Sequence, residues 1–210
     1  MKPSSLFLIG IFLTGILLMG CQERGESNIG LKALENNPLA LEIIADKQID
    51  YVTSLQISAN ENNEPITDPA MLRLIDEIFI DSRGLQKKSH EMQDEGKMSS
   101  FYGINNNFAA GEVLLHNGWL HFGYGFEVDV APGMKVYLAQ HVSPHLSEEL
   151  FSQPTMDLGL LKNIYGVQSY YVGKLSEDDW NKYRTVAIYS ESMDKVIALA
   201  QIRRASNFGE

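Results

Sequence analysis

The 210-residue chain has one cysteine, which excludes an intrachain disulfide framework, a dithiol redox pair and any multi-cysteine zinc knot. It is short of positive charge: 17 Lys and Arg stand against 27 Asp and Glu, a formal net charge of −10. That balance argues against a nucleic-acid binder, which needs a cationic stripe to displace counterions. It argues equally against docking on anionic lipid through basic residues. No His-Glu-x-x-His, Gly-x-Ser-x-Gly elbow, phosphate loop or Cys-x-x-Cys-His occurs, and no solenoid-type repeat. What is present is a 44% apolar composition, enough for a packed core.

The lone cysteine closes the N-terminal segment. Lys2 is a short positive start, and Leu6 to Gly20 is apolar apart from small residues and Thr14. That run falls short of the roughly 20 residues a membrane-spanning helix needs. Leu18-Met19-Gly20-Cys21 resembles a bacterial lipoprotein signal, in which the thiol is alkylated by diacylglycerol before cleavage on its N-terminal side. The expectation is a signal peptide over 1–20, lipid (palmitate among the acyl chains) on Cys21, and a polar tether over 21–38. Each buried methylene of such an anchor contributes about 0.8 kcal/mol. Gln22, rather than Asp, follows the cysteine. In a double-membraned cell this resembles an outer-membrane address, on the periplasmic or the surface face. The membrane, through lipid, is one expected partner; an envelope protein or a small ligand is the other.

Residues 39–98 read as a smaller α/β segment. Leu41, Ile44, Gln48, Val52 and Leu55 share a helical face, while Tyr51-Val52-Thr53 and Leu55-Gln56-Ile57 read as strand, so a helix running into a strand is expected. Asp68-Pro69 starts a second helix, with Leu72, Ile75, Ile78 and Phe79 as its apolar stripe. Residues 85–98 read as a solvated connection. From 99 to 203 short apolar stretches alternate with turns, the pattern of an antiparallel β-sandwich; 204–210 is a tail.

Asn117-Gly118 suits a type I′ turn. It pairs His116 with Trp119, Leu115 with Leu120, Leu114 with His121 and Val113 with Phe122, placing Val113, Leu115, Leu120 and Phe122 on the core face. His116, Trp119 and His121 fall with Leu114 on the other, a candidate ligand face. Two half-exposed histidines flanking a packed Trp is the plainer account, because no nearby Cys or carboxylate completes a metal shell. His141-Val142-Ser143-Pro144-His145 has only superficial helical ligand spacing, since Pro144 breaks the helix. Glu177-Asp178-Asp179 reads as a solvated turn. Tyr165, Tyr170, Tyr171, Trp180 and Tyr183 read as packing residues ahead of a carbohydrate- or partner-binding face.

Several strings carry a wider resemblance. They are Ala131-Pro132-Gly133-Met134-Lys135-Val136-Tyr137-Leu138, Asp157-Leu158-Gly159-Leu160-Leu161-Lys162, Gly166-Val167-Gln168-Ser169-Tyr170, and Tyr183 to Ser190 with Met193. Their order and spacing resemble the DM-thirteen domain, which occurs beside DOMON domains in Skeletor-like proteins and in bacterial lipoproteins. The resemblance implies an all-β fold and an electron-transfer role tied to a cysteine ending the penultimate strand. Here Ser190 holds that place, after Tyr189, which joins His116, Trp119 and His121 as a candidate ligand residue. Asn107 stands where the family often has His, and Gly133 where it often has Asp. A hydroxyl near neutrality neither ionises nor cycles redox states as a thiol does. The expectation is therefore a non-enzymatic binding or accessory module with no resident cofactor. The alternative is an electron-transfer component whose cofactor is held by residues such as His116, His121 or Met134, or whose redox centre a partner supplies.

Overall fold

A computed structural model describes residues 36–62 and 64–204. Two long helices come first, α1 (Pro38–Glu61) and α2 (Pro69–Glu95), and they form an antiparallel pair.

 Helix α2, Pro69–Glu95, starts as the sequence predicts: the Asp68 carboxylate accepts the Ala70 amide at 2.9 Å, with Pro69 in the first turn. Asn37 caps α1, its Oδ1 accepting from Leu39 N at 3.0 Å and Ala40 N at 3.3 Å.

The expected strand at 51–57 is instead helix. Val52 sits seven residues after Ala45, and both are buried on the helix–helix seam. That packing overrides the strand preference of Tyr51, Val52 and Ile57. Helix α2 likewise runs through most of the segment expected to be a solvated connection. Beyond Ile75 its buried side chains are small and polar, Ser82 just before that segment and Ser89 within it. Ser82 Oγ donates to Gln48 Oε1 (2.9 Å) and Ser89 Oγ to the Pro38 carbonyl (2.7 Å). Gln86 and Gln93 donate to Asp46 (2.7 Å) and Glu42 (2.8 Å), so polar bonds tie the two helices together.

The rest of the chain is β-rich and antiparallel. The strands are β1 (Lys97–Ser100), β2 (Tyr102–Gly103), β3 (Ala109–Ala110), β4 (Glu112–His116), β5 (Trp119–Phe122), β6 (Glu127–Val128), β7 (Met134–Ala139), β8 (Thr155–Leu160), β9 (Gln168–Tyr171), β10 (Thr185–Ser190), β11 (Lys195–Gln201) and β12 (Arg203–Arg204). One sheet has the order β12-β1-β4-β5-β9 and a second β2-β11-β10-β7-β8; β3 and β6 make a small pair. Two short helices, α3 (Ser147–Leu150) and α4 (Glu177–Lys182), interrupt the loops; the sequence of residues 140–157 reads as one long loop, and α3 lies within it.

The hairpin pairs as the turn chemistry predicts: Val113 with Phe122, Leu114 with His121, Leu115 with Leu120, His116 with Trp119. Asn117 and Gly118 have φ of 45° and 77°, as a type I′ turn requires. Val113, Leu115, Leu120 and Phe122 join Val136, Leu138, Val186, Ile188, Ile197 and Ala200 of the second sheet in one core cluster. Phe101, Phe122, Phe126 and Tyr170 fill its aromatic part, with ring centroids 4.7–5.4 Å apart. Gly111 (φ 98°) is obligatory, since a Cβ there would fall 2.3 Å from the Phe126 backbone.

Candidate functional site

Strands β7 and β10 carry the residues that the family resemblance singles out. Ser190 ends β10 beside Met134, and Tyr189 pairs with Lys135. Ser190 is wholly buried. Its hydroxyl donates to the Pro132 carbonyl at 2.5 Å and accepts the Met193 amide at 3.3 Å. It ties the Pro132-Gly133 turn to the turn after β10, where Gly133 adopts a φ of 63°. Met134 lies in the core cluster. Asn107, in the family's histidine place, bonds its own loop through Nδ2 to the Ile104 carbonyl at 2.6 Å.

Tyr189 faces the opposite side of the second sheet. Its ring meets Tyr137 and Phe151 edge-on, at 5.9 and 5.3 Å, and Tyr137 meets Phe151 at 5.4 Å. The Tyr189 hydroxyl donates to Asp194 Oδ1 at 2.5 Å and Tyr137 to Glu191 at 3.3 Å. Lys135 bridges Glu191 (2.7 Å) and Asp157 (3.1 Å). Burial pushes both phenols up to about 12, and the hydrogen bond to Glu191 holds Lys135 above the ordinary ammonium range. Near neutrality the phenols are therefore protonated donors and the carboxylates their acceptors.

The histidine face is not the half-exposed surface the alternation suggests. The N-terminal end of α1 and the C-terminal end of α2 cover part of it. Leu114 is wholly buried and His121 nearly so, whereas Trp119 is exposed. A Cβ on Gly96 would lie 2.5 Å from Leu114 Cδ1, and the Asn37 amide donates to the Phe122 carbonyl at 2.9 Å. His121 Nδ1 bonds Ser169 Oγ (2.9 Å), and His116 Nε2 meets Glu95 (3.3 Å). Burial, with His116 nearby, lowers His121 to about 4, so it is neutral at physiological pH. Trp119 stacks 6.5 Å from His121 and 5.0 Å from Tyr171. Among the described residues no group of three or more His, Cys, Asp or Glu is arranged to hold a metal ion. His116, Trp119 and His121 are thus neighbours, each histidine already engaged by a different protein group.

The other sequence candidates separate. His145 and His141 line different depressions, because a helix begins only at Ser147. Asp179 pairs with Lys182 at 2.8 Å, in the last turn of α4. Of the aromatic stretch, Tyr170 is in the core, Trp180 and Tyr183 pack against it, and Tyr165 and Tyr171 are exposed. Cys21 lies outside the described residues, and no described helix is long and apolar enough to cross a membrane.

Sequence reasoning missed an open cleft of about 560 Å³ at one end of the second sheet, lined by Gln140, His141, Val142, Gln153, Asn181, Lys182 and Arg184. Its residues come from three separated segments, so no local motif announces it. No family model, curated protein or solved structure matches the chain.

Proposed function

We propose that this chain is a bacterial envelope lipoprotein, anchored through lipid on Cys21, whose β-rich part is a DM-thirteen-like sandwich serving as a non-enzymatic binding or accessory module. The observation that carries the loss of the redox role is the environment of Ser190. Where the family has its cysteine, this chain buries a hydroxyl between the Pro132 carbonyl and the Met193 amide. Both bonds hold turns together, and the residue is wholly buried. The residue supports the scaffold rather than chemistry.

Visible absorbance, metal analysis and voltammetry on purified residues 22–210 test the reading. The expected result is a colourless, metal-free protein with no reversible wave. A stoichiometric chromophore or metal, or a genuine one- or two-electron wave, would favour electron transfer instead.

A further inference from the structure

The cleft between the end of β7, the residue preceding Pro154, and the end of α4 is lined by Gln140, His141, Val142, Gln153, Asn181, Lys182 and Arg184, with no carboxylate in its wall. In a chain of net charge −10 the formally charged groups of that wall are both cations, Lys182, which Asp179 pairs, and Arg184. The backbone frame is fixed: Gln140 N donates to the Pro154 carbonyl (3.3 Å) and Arg184 N to that of Ala139 (3.0 Å). The side chains, by contrast, are largely uncommitted. Among the described residues, Gln140, Gln153, Asn181 and Arg184 make no side-chain hydrogen bond or ion pair, and only Lys182 is engaged, by Asp179. His141 Nδ1 is removed from solvent with no partner among the described residues, the only buried side-chain nitrogen or oxygen there in that state. That nitrogen is closed to solvent, so the groups a ligand in the open cleft would meet are the uncommitted amides and Arg184.

We propose that the cleft binds a small acidic sugar, a ring carrying a carboxylate or a phosphate. Arg184 matches the oxyanion, which a guanidinium grips with paired N–H groups, and Lys182, held by Asp179, stands in the same wall. The three amides both donate and accept, as ring hydroxyls require. Val142, 48% exposed, offers an apolar contact to a ring face. The volume is in the range of small-molecule sites. This deepens the binding-module reading by naming its ligand class; redox inactivity is measured separately, so either can fail alone.

The test is amide NMR on the full-length chain in detergent micelles. It is titrated in separate arms with galacturonate, glucose 6-phosphate and uncharged galactose. The carboxylate and phosphate arms distinguish the two acids. The expected result is saturable shifts at Gln140, His141 and Arg184 with at least one acid, and binding of galactose weaker by about tenfold or more. Arg184→Gln, at an exposed position, weakens the acid by about tenfold or more, while Lys87→Gln on the remote face of α2 leaves it unchanged. The His141 ring resonances shift with the same saturation curve. No saturable shift with either acid, equal binding of galactose, or an unchanged affinity in Arg184→Gln would overturn the proposal.

Discussion

At the scale of single residues, Ser190 and His121 are both buried polar groups held by specific partners. Ser190→Ala leaves the Met193 amide and the Pro132 carbonyl without the hydroxyl, in a site closed to water. The expected cost is about 1–2 kcal/mol, read as a lower urea midpoint with an unchanged slope. His121 gives a pH dependence. Its folded value of about 4 lies below the 6.5 of the exposed imidazole. Between those values the unfolded chain binds more protons. Stability is therefore full above about pH 6.5 and falls as the pH drops toward 4. His121→Gln keeps a polar group beside Ser169 and removes that slope. The loss of unfolding free energy between about pH 7 and about pH 4.5 should shrink by about 2 kcal/mol, measured by urea titration at both. The sequence placed His121 on the correct strand, opposite Leu114, but not beneath a cover. The covering helices lie far away in the chain, and strand alternation does not register them.

Among the elements, local rules fared best where one local signal decides. Asn117-Gly118 fixes its turn, and through it the register of four residue pairs. Asp68-Pro69 fixes a helix start. They fared worst where tertiary packing arbitrates, as in α1, whose strand-prone residues continue the helix because Ala45 and Val52 face α2. Residues 85–95 looked solvated because the residue the helix buries there is Ser89 rather than an aliphatic side chain. Asn37 joins the helical and sheet elements: its Oδ1 caps α1 while its Nδ2 donates to the Phe122 carbonyl. Asn37→Ala removes the cap and the amide's hydrogen bond to the Phe122 carbonyl. About 2 kcal/mol of stability should be lost, with thermal unfolding followed by far-UV circular dichroism as the measure. Asn37→Asp keeps the cap but not the donor, so it separates the two contributions.

For the whole molecule, the helical cover on the first sheet and the sealed Ser190 lie far apart in the chain and are brought into place by folding. Ser190 could be picked out in the sequence by its place in the family's pattern. The cleft could not, because residues 140–142, 153 and 181–184 converge only after folding. The proposed lipid anchor on Cys21 has a chemistry that is testable in isolation. A thioether needs the Cys21 sulfur, and a serine at that place cannot be alkylated in the same way. In cells fed labelled palmitate, the wild-type chain should take up label and lose its first 20 residues by mass. Cys21→Ser should remain unlabelled and at precursor mass. An unlabelled wild-type chain would remove the lipid anchor. It would leave the cleft and the Ser190 bonds as they stand, since both are built entirely within residues 132–193.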